Sequence, residues 1–172
     1  MEKMWSPWRS VYIESFKDKP KDEKCVFCAA QKEELSNEKS LKVYEGDKVF
    51  VVLNLYPYNN GHIMVVPRRH LSDFSELTKE ERYEIADTID LSIKALKIVS
   101  SPHGFNVGAN IGKAAGAGID QHLHFHIVPR WNGDTNFMPV LGEVKVISQE
   151  LLQTKNLLID AFSQLKKITG NE

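Results

Sequence analysis

QHLHFHIVPRW, residues 121–131, sets His122, His124 and His126 at alternate positions, and these are three of the chain's six histidines. Alternation is the period of a β-strand, where successive side chains face opposite ways. Leu123, Phe125 and Ile127 then point into a core, and the three imidazoles share the other face. Reach argues against one metal bound by all three: at about 3.3 Å per residue, His122 and His126 have backbones roughly 13 Å apart, whereas zinc–nitrogen bonds are about 2.1 Å. Neighbouring members of the three can still share a metal. A merely exposed polar face has no need of histidine, since lysine, threonine or glutamate would serve there equally well. The chemical reading is that an imidazole of pKa about 6.5 is roughly three quarters neutral near pH 7 and able to attack phosphorus as a nucleophile.

Such a reaction needs donors around anionic oxygens. The loop directly upstream, Gly112-Lys113-Ala114-Ala115-Gly116-Ala117-Gly118, offers small side chains, exposed backbone N–H groups and a lysine. Working outward, Leu41–Glu45 and Lys48–Leu53 read as a hairpin turning at Gly46-Asp47. After the punctuated loop LYPYNNG, His62–Val66 is a third strand, apolar almost throughout and closed by Pro67, as expected of a strand covered on both faces. Thr78-Lys79-Glu80-Glu81 has capping-box form and is followed by Ile85, Ile89, Ile93 and Leu96, which predicts an amphipathic helix over 78–99, stopped by Pro102. Phe105–Asn110 reads as a fourth strand and the histidine segment as a fifth. A last amphipathic helix is carried by Leu151, Leu158, Phe162 and Leu165. This order predicts an α+β fold: a five-stranded antiparallel sheet with one long helix and a C-terminal helix.

The 172 residues, 42% hydrophobic and 26% charged, suit one domain: an arm at 1–40, a core at 41–140 and a helical extension at 141–172. With 22 Lys and Arg against 23 Asp and Glu, the net charge of −1 argues against a nucleic-acid surface, so an anionic ligand must be held locally. No apolar run is long enough for a membrane span, and MEKMWSPWRSVYIES lacks the apolar stretch of a signal peptide, so the protein reads as cytoplasmic. Residues 17–40 are dense in charge around the island Cys25-Val-Phe-Cys28 and read as an irregular arm. That spacing, with no export signal, favours a metal or redox pair over a structural disulfide.

The segment His122-Leu-His124-Phe-His126-Ile-Val128, with Asn54, Gly61-His62 ahead of IMVVP, and Asn110 ahead of the glycine loop, resembles the histidine triad (HIT) superfamily of nucleotide hydrolases and nucleotidyl transferases. WSPWR at 5–9, VVLNLYPYNNGHIMVVP at 51–67, SPHGFNVGANIG at 101–112 and HLHFHIVPRWNGDTNF at 122–137 are similar to its diadenosine tetraphosphate (Ap4A) phosphorylase branch. The resemblance implies a HIT-like fold and a homodimer joining two such sheets. It implies His124 as the nucleophile, forming a nucleotidyl-histidine. His126 and His62 would hold phosphate oxygens or assist the leaving group, and His122 would orient its neighbours. Asn54 falls at the ribose-hydroxyl position, and Asn110 with the backbone of Gly116, Ala117 and Gly118 at the phosphate cradle, although this loop carries one residue more than in the hydrolase branches. Arg130 and Trp131 are open between contacting phosphate or base and stacking on each other. Trp5 to Arg9 is read as packing or an edge contact with a second subunit.

Several bacterial HIT proteins also resemble this chain in pairing an N-terminal CxxC with a histidine after the third strand. The resemblance implies structural zinc on Cys25, Cys28, His70 and His122, with His103 as the competing fourth ligand and a reduced, metal-free pair as the alternative. No organic cofactor is expected. The implied reaction is cleavage of a dinucleoside polyphosphate, with inorganic phosphate or water as acceptor. A nucleoside phosphoramidate hydrolase and a non-catalytic nucleotide-binding module are the other readings.

Overall fold

The computed structural model describes residues 25–134 and 150–169. Val49–Leu53 (β2) and Ile63–Pro67 (β3) are buried at every position, so the sheet they form is covered on both faces. Each face has its own cluster. Val49, Val51, Leu53, Ile63 and Val65 pack with the long helices, whereas Phe50, Val52, Met64 and Val66 pack with Cys25 and Phe27 from the arm. Period-two alternation divides one apolar run between two cores.

Lys42–Glu45 (β1), Gly104–Gly108 (β4) and Phe125–Arg130 (β5) complete a five-stranded sheet in the order β1-β2-β3-β5-β4. All four neighbouring pairs are antiparallel, as expected. β5 lies centrally, pairing His126 with Met64 of β3 and with Gly108 of β4. The α+β class, the sheet, the long helix and the C-terminal helix all follow the sequence reading.

Helix Lys79–Ser100 is capped as its sequence predicts. The Thr78 hydroxyl accepts from the Glu81 N–H at 3.2 Å, and the Glu81 carboxylate accepts from the Thr78 N–H at 2.8 Å. Ile85 and Leu96 are buried on the sheet, with Ile89 and Ile93 partly so. The helix ends on Ser101 in the left-handed region, φ 45°, just before Pro102. Leu158 and Phe162 of the C-terminal helix Leu151–Thr169 enter the same core.

Five local readings are corrected. The first hairpin turns one residue later than Gly46-Asp47: Glu45 pairs with Phe50, and the Gly46 N–H donates to the Val49 carbonyl at 2.9 Å, which leaves Asp47-Lys48 at the turn. The turn is held by the Glu84 carboxylate, which accepts from the Lys48 N–H at 3.0 Å. β3 starts at Ile63, one residue after His62, and β4 ends at Gly108, short of Asn110. β5 starts at Phe125, so His122 and His124 precede the regular ladder. Finally, the arm holds a short helix, Val26–Lys32, where the charge-dense sequence gave no amphipathic signal: its one fully buried residue is Phe27. The helices are α1 (Val26–Lys32), α2 (Lys79–Ser100) and α3 (Leu151–Thr169) in chain order. The readings for 5–9, for the arm before residue 25 and for 135–149 lie outside the described residues.

Candidate active site and metal centre

Leu123, Phe125 and Ile127 are buried in the helix-side core, which turns His122, His124 and His126 to the sheet face that α1 covers. The three rings then part company. His124 and His126 sit edge to face with centroids 4.8 Å apart, and His62 approaches His126 at 5.1 Å. His122 instead joins Cys25, Cys28 and His70. Two sites therefore adjoin on one face.

Backbone acceptors and donors fix the tautomers of the first group. His124 Nδ1–H donates to the His122 carbonyl oxygen at 2.8 Å, which leaves the lone pair on Nε2. Burial holds its pKa below the ordinary imidazole value, so the ring is neutral. His62 Nδ1 accepts from the Tyr58 N–H at 3.1 Å and from the Asn54 amide at 3.2 Å. Its proton is thus on Nε2, which donates to His126 Nδ1 at 3.0 Å. His126 in turn carries its own proton on Nε2. A lone pair on one ring and an N–H on its neighbour are what attack on phosphorus and hydrogen bonding to a departing oxygen require.

Asn54 is also held by the Tyr56 N–H, which donates to its Oδ1 at 3.0 Å. Asn110 is half-buried just beyond β4. In the glycine loop, Gly112 (φ 79°) and Gly116 (φ 85°) take left-handed conformations that a side chain would strain. The turn's own bonds use the N–H groups of Ala115, Gly116 and Ala117, donated to Gly112, Lys113 and Gly112 carbonyls, and not that of Gly118. Lys113 pairs with Asp120 across the loop at 3.6 Å.

The second group fits a tetrahedral ion. The ligand atoms of Cys25, Cys28, His70 and His122 all lie within 4.8 Å of one another. Cys25 Sγ is 3.2 Å and Cys28 Sγ 3.7 Å from His122 Nδ1, and Cys28 Sγ is 3.2 Å from His70 Nδ1. A tetrahedron with bonds of about 2.2 Å has edges of about 3.6 Å, close to these separations. His122 Nε2–H donates to the Pro67 carbonyl at 2.9 Å, which turns the Nδ1 lone pair toward the thiols. Burial lowers the His122 pKa to about 4, keeping the ring in the neutral form that binds metal. His103 is placed elsewhere, its Nδ1 accepting from the Asn132 N–H at 3.0 Å, so it is not the fourth ligand of this cluster.

Several residues here carried no signal in the sequence. Phe27, inside the CxxC, packs on His124 at 4.8 Å between centroids. Tyr58 lies over His62 at 4.7 Å. Asn59 donates to the Pro129 carbonyl at 3.0 Å and to Asp134 at 2.8 Å, tying the loop before His62 to the end of β5. Arg130 donates to the Asp134 carboxylate at 2.7 Å and to Asn106 Oδ1 at 2.7 Å.

A model of the family described as HIT domain matches residues 36–133. A Mycobacterium tuberculosis protein named AP-4-A phosphorylase is 44% identical over 168 residues, 95% of this chain and 86% of the relative. Among solved structures, a zinc-bound histidine triad family protein from Mycobacterium smegmatis superposes with a TM-score of 0.67 at 27% identity, over 84% of this chain and 96% of that one. A hypothetical histidine triad nucleotide-binding protein from Sulfolobus tokodaii gives 0.66 at 27%, over 83% and 94%.

Proposed function

The chain belongs to the HIT domain family, and from that premise we propose that it cleaves dinucleoside polyphosphates such as Ap4A at an α-phosphate, through a nucleotide carried on His124. One observation carries the reading: the His122 carbonyl holds the His124 Nδ1 proton, so Nε2 offers its lone pair beside the His126 ring. The name of the Mycobacterium tuberculosis relative supports the substrate class.

In the first step His124 Nε2 bonds to the α-phosphorus of Ap4A and the bond to the bridging oxygen breaks, releasing ATP. The leaving oxygen belongs to a phosphate that ionises near pH 6, so it needs a hydrogen bond from His126 Nε2–H more than a whole proton. His62 keeps that proton in place by filling His126 Nδ1 with its own donor. In the second step an oxygen of inorganic phosphate attacks the same phosphorus, the P–N bond breaks, and ADP leaves; water as acceptor would give AMP. Two in-line displacements replace one difficult transfer.

Asn54 is assigned to the ribose, and Asn110 with the Gly116–Gly118 backbone to the phosphate oxygens. The Gly118 N–H is the donor the turn's own bonds leave for this; Gly116 and Ala117 would first have to exchange their internal bonds. Cys25, Cys28, His70 and His122 would hold zinc, whose role with four protein ligands is to fix the arm on the sheet. The protein is further proposed to act in the cytoplasm, without an organic cofactor, as a homodimer joined through the edge strand β4. Among the described residues, no helix is long and apolar enough to cross a membrane.

Incubation with Ap4A, with and without inorganic phosphate, tests the reading. ADP formed only with phosphate identifies phosphorolysis, and AMP formed without it identifies hydrolysis. No product from Ap4A, with turnover of an adenosine phosphoramidate, would assign the site to the phosphoramidate hydrolases.

A further inference from the structure

We propose that Phe27 is a positioning residue for His124, holding the nucleophilic ring in its reactive orientation only while the neighbouring cluster of cysteines and histidines is filled by metal. The inference rests on the assignment of His124 as nucleophile. Phe27 stands between the two sites: its ring centroid is 4.8 Å from His124, tilted by 45°, and 5.5 Å from His122, edge on at 74°. One side chain thus touches the ring that reacts and a ring that ligates.

The helix that presents Phe27 cannot hold itself in place. α1 has seven residues, and its N-cap, Cys25, makes no side-chain capping bond. It is fastened at its start by the two thiols of the cluster and at its end by the buried Lys42 ammonium, which donates to the Gln31 carbonyl at 3.0 Å. Releasing the metal leaves the end of α1 that carries Phe27 held by packing alone, against Phe50, Val52, Met64 and Val66. On the His124 side, the Nδ1–H bond to the His122 carbonyl fixes one edge of the imidazole, and the Phe27 face limits its rotation about that edge. A second route between the sites runs through the His122 main chain, so the experiment must separate the two.

The test uses the full zinc-loaded chain with F27A and F27L, read by metal content, by Ap4A kinetics and by imidazole nitrogen–proton correlation spectra. F27A is expected to keep one zinc per chain and a KM within about threefold of wild type, and to lose about tenfold to a hundredfold in kcat. Its His124 becomes a mixture of tautomers instead of the Nδ1–H form, and F27L restores most of both. Chelating the zinc from wild type moves the His124 signals to the F27A pattern, while F27A itself does not change further. Retention of kcat and of the Nδ1–H tautomer in zinc-loaded F27A overturns the proposal. So does an equal response to chelation in F27A and wild type, which would put the coupling in the His122 carbonyl. Should F27A fail to fold or to hold zinc, F27V takes its place under the same criteria. An unaltered His124 spectrum on chelation of wild type also overturns the proposal. The spectra need no turnover, so a wild type inert toward Ap4A would sink the functional reading and still leave Phe27 to be judged.

Discussion

At the scale of single residues, the candidate site has its ring protons committed in advance. His124 has its Nδ1 proton tied to a carbonyl, and His62 has its Nδ1 lone pair tied to two N–H donors, so both rings are neutral and oriented before any substrate arrives. Substituting His124→Ala removes the proposed attacking atom and leaves the glycine loop and Asn54. Turnover of Ap4A should fall by at least about a thousandfold while nucleotide affinity, measured by calorimetry, changes only a few-fold. His62→Ala acts differently, because it takes away the donor that sets the His126 tautomer. It should lower kcat by about a hundredfold and, since His62 is fully buried, should also cost about 2–4 kcal/mol of stability by urea denaturation. The alternation of histidines and apolar residues announced that the three rings share one face of the sheet. Which nitrogen bears each proton was not legible, because Tyr58, Asn54 and the His122 carbonyl meet the rings only after folding.

The elements differ in what holds them. α2 carries its own start signal, and Arg69 strengthens it: two guanidinium nitrogens reach Glu81, each at 2.7 Å, on the carboxylate that closes the capping box. The Arg69 hydrogen bonds hold the Glu81 pKa down to about 2 from the ordinary value near 4.5. A depressed carboxylate pKa stabilises the fold above the unfolded value, and that stabilisation is lost as pH falls from about 4.5 toward 2. Arg69→Met should therefore destabilise the fold at pH 7, with the gap to wild type closing as urea titrations move below pH 4. α1 has no such signal and instead borders the cluster of Cys25, Cys28, His70 and His122. One zinc per chain is expected by elemental analysis, and chelation should lower the melting temperature by several degrees, since binding energy at such a site is folding energy. The capping box of α2 was plain in Thr78-x-x-Glu81. α1 was not, because seven charged-flanked residues with one buried side chain, Phe27, show no helical period.

Across the whole molecule, two cores share one sheet, and that division places the candidate site. The helix side is large and closed by α2 and α3, while the opposite side is thin, covered by α1, and leaves room for rings and thiols beside Phe50, Val52, Met64 and Val66. β4 forms one edge of the sheet with Val107 exposed, and Ile111 is exposed just beyond it, so an edge-to-edge pairing of two copies would cover both. Light scattering should give a mass near twice the chain's 19.6 kDa, and Val107→Arg should shift it toward one chain. The sequence by itself determined the class of fold, the segment bearing the histidines, the face they occupy and the family, because each depends on local period, capping and short motifs. Tertiary structure brought together Cys25, Cys28, His70 and His122, which the resemblance had implied, and it alone decided that His103 stands apart from the thiols and that Phe27 lies on His124. Those facts join residues up to 97 positions apart, from Cys25 to His122. No local pattern encodes such a distance; the packing of α1 against the sheet sets it.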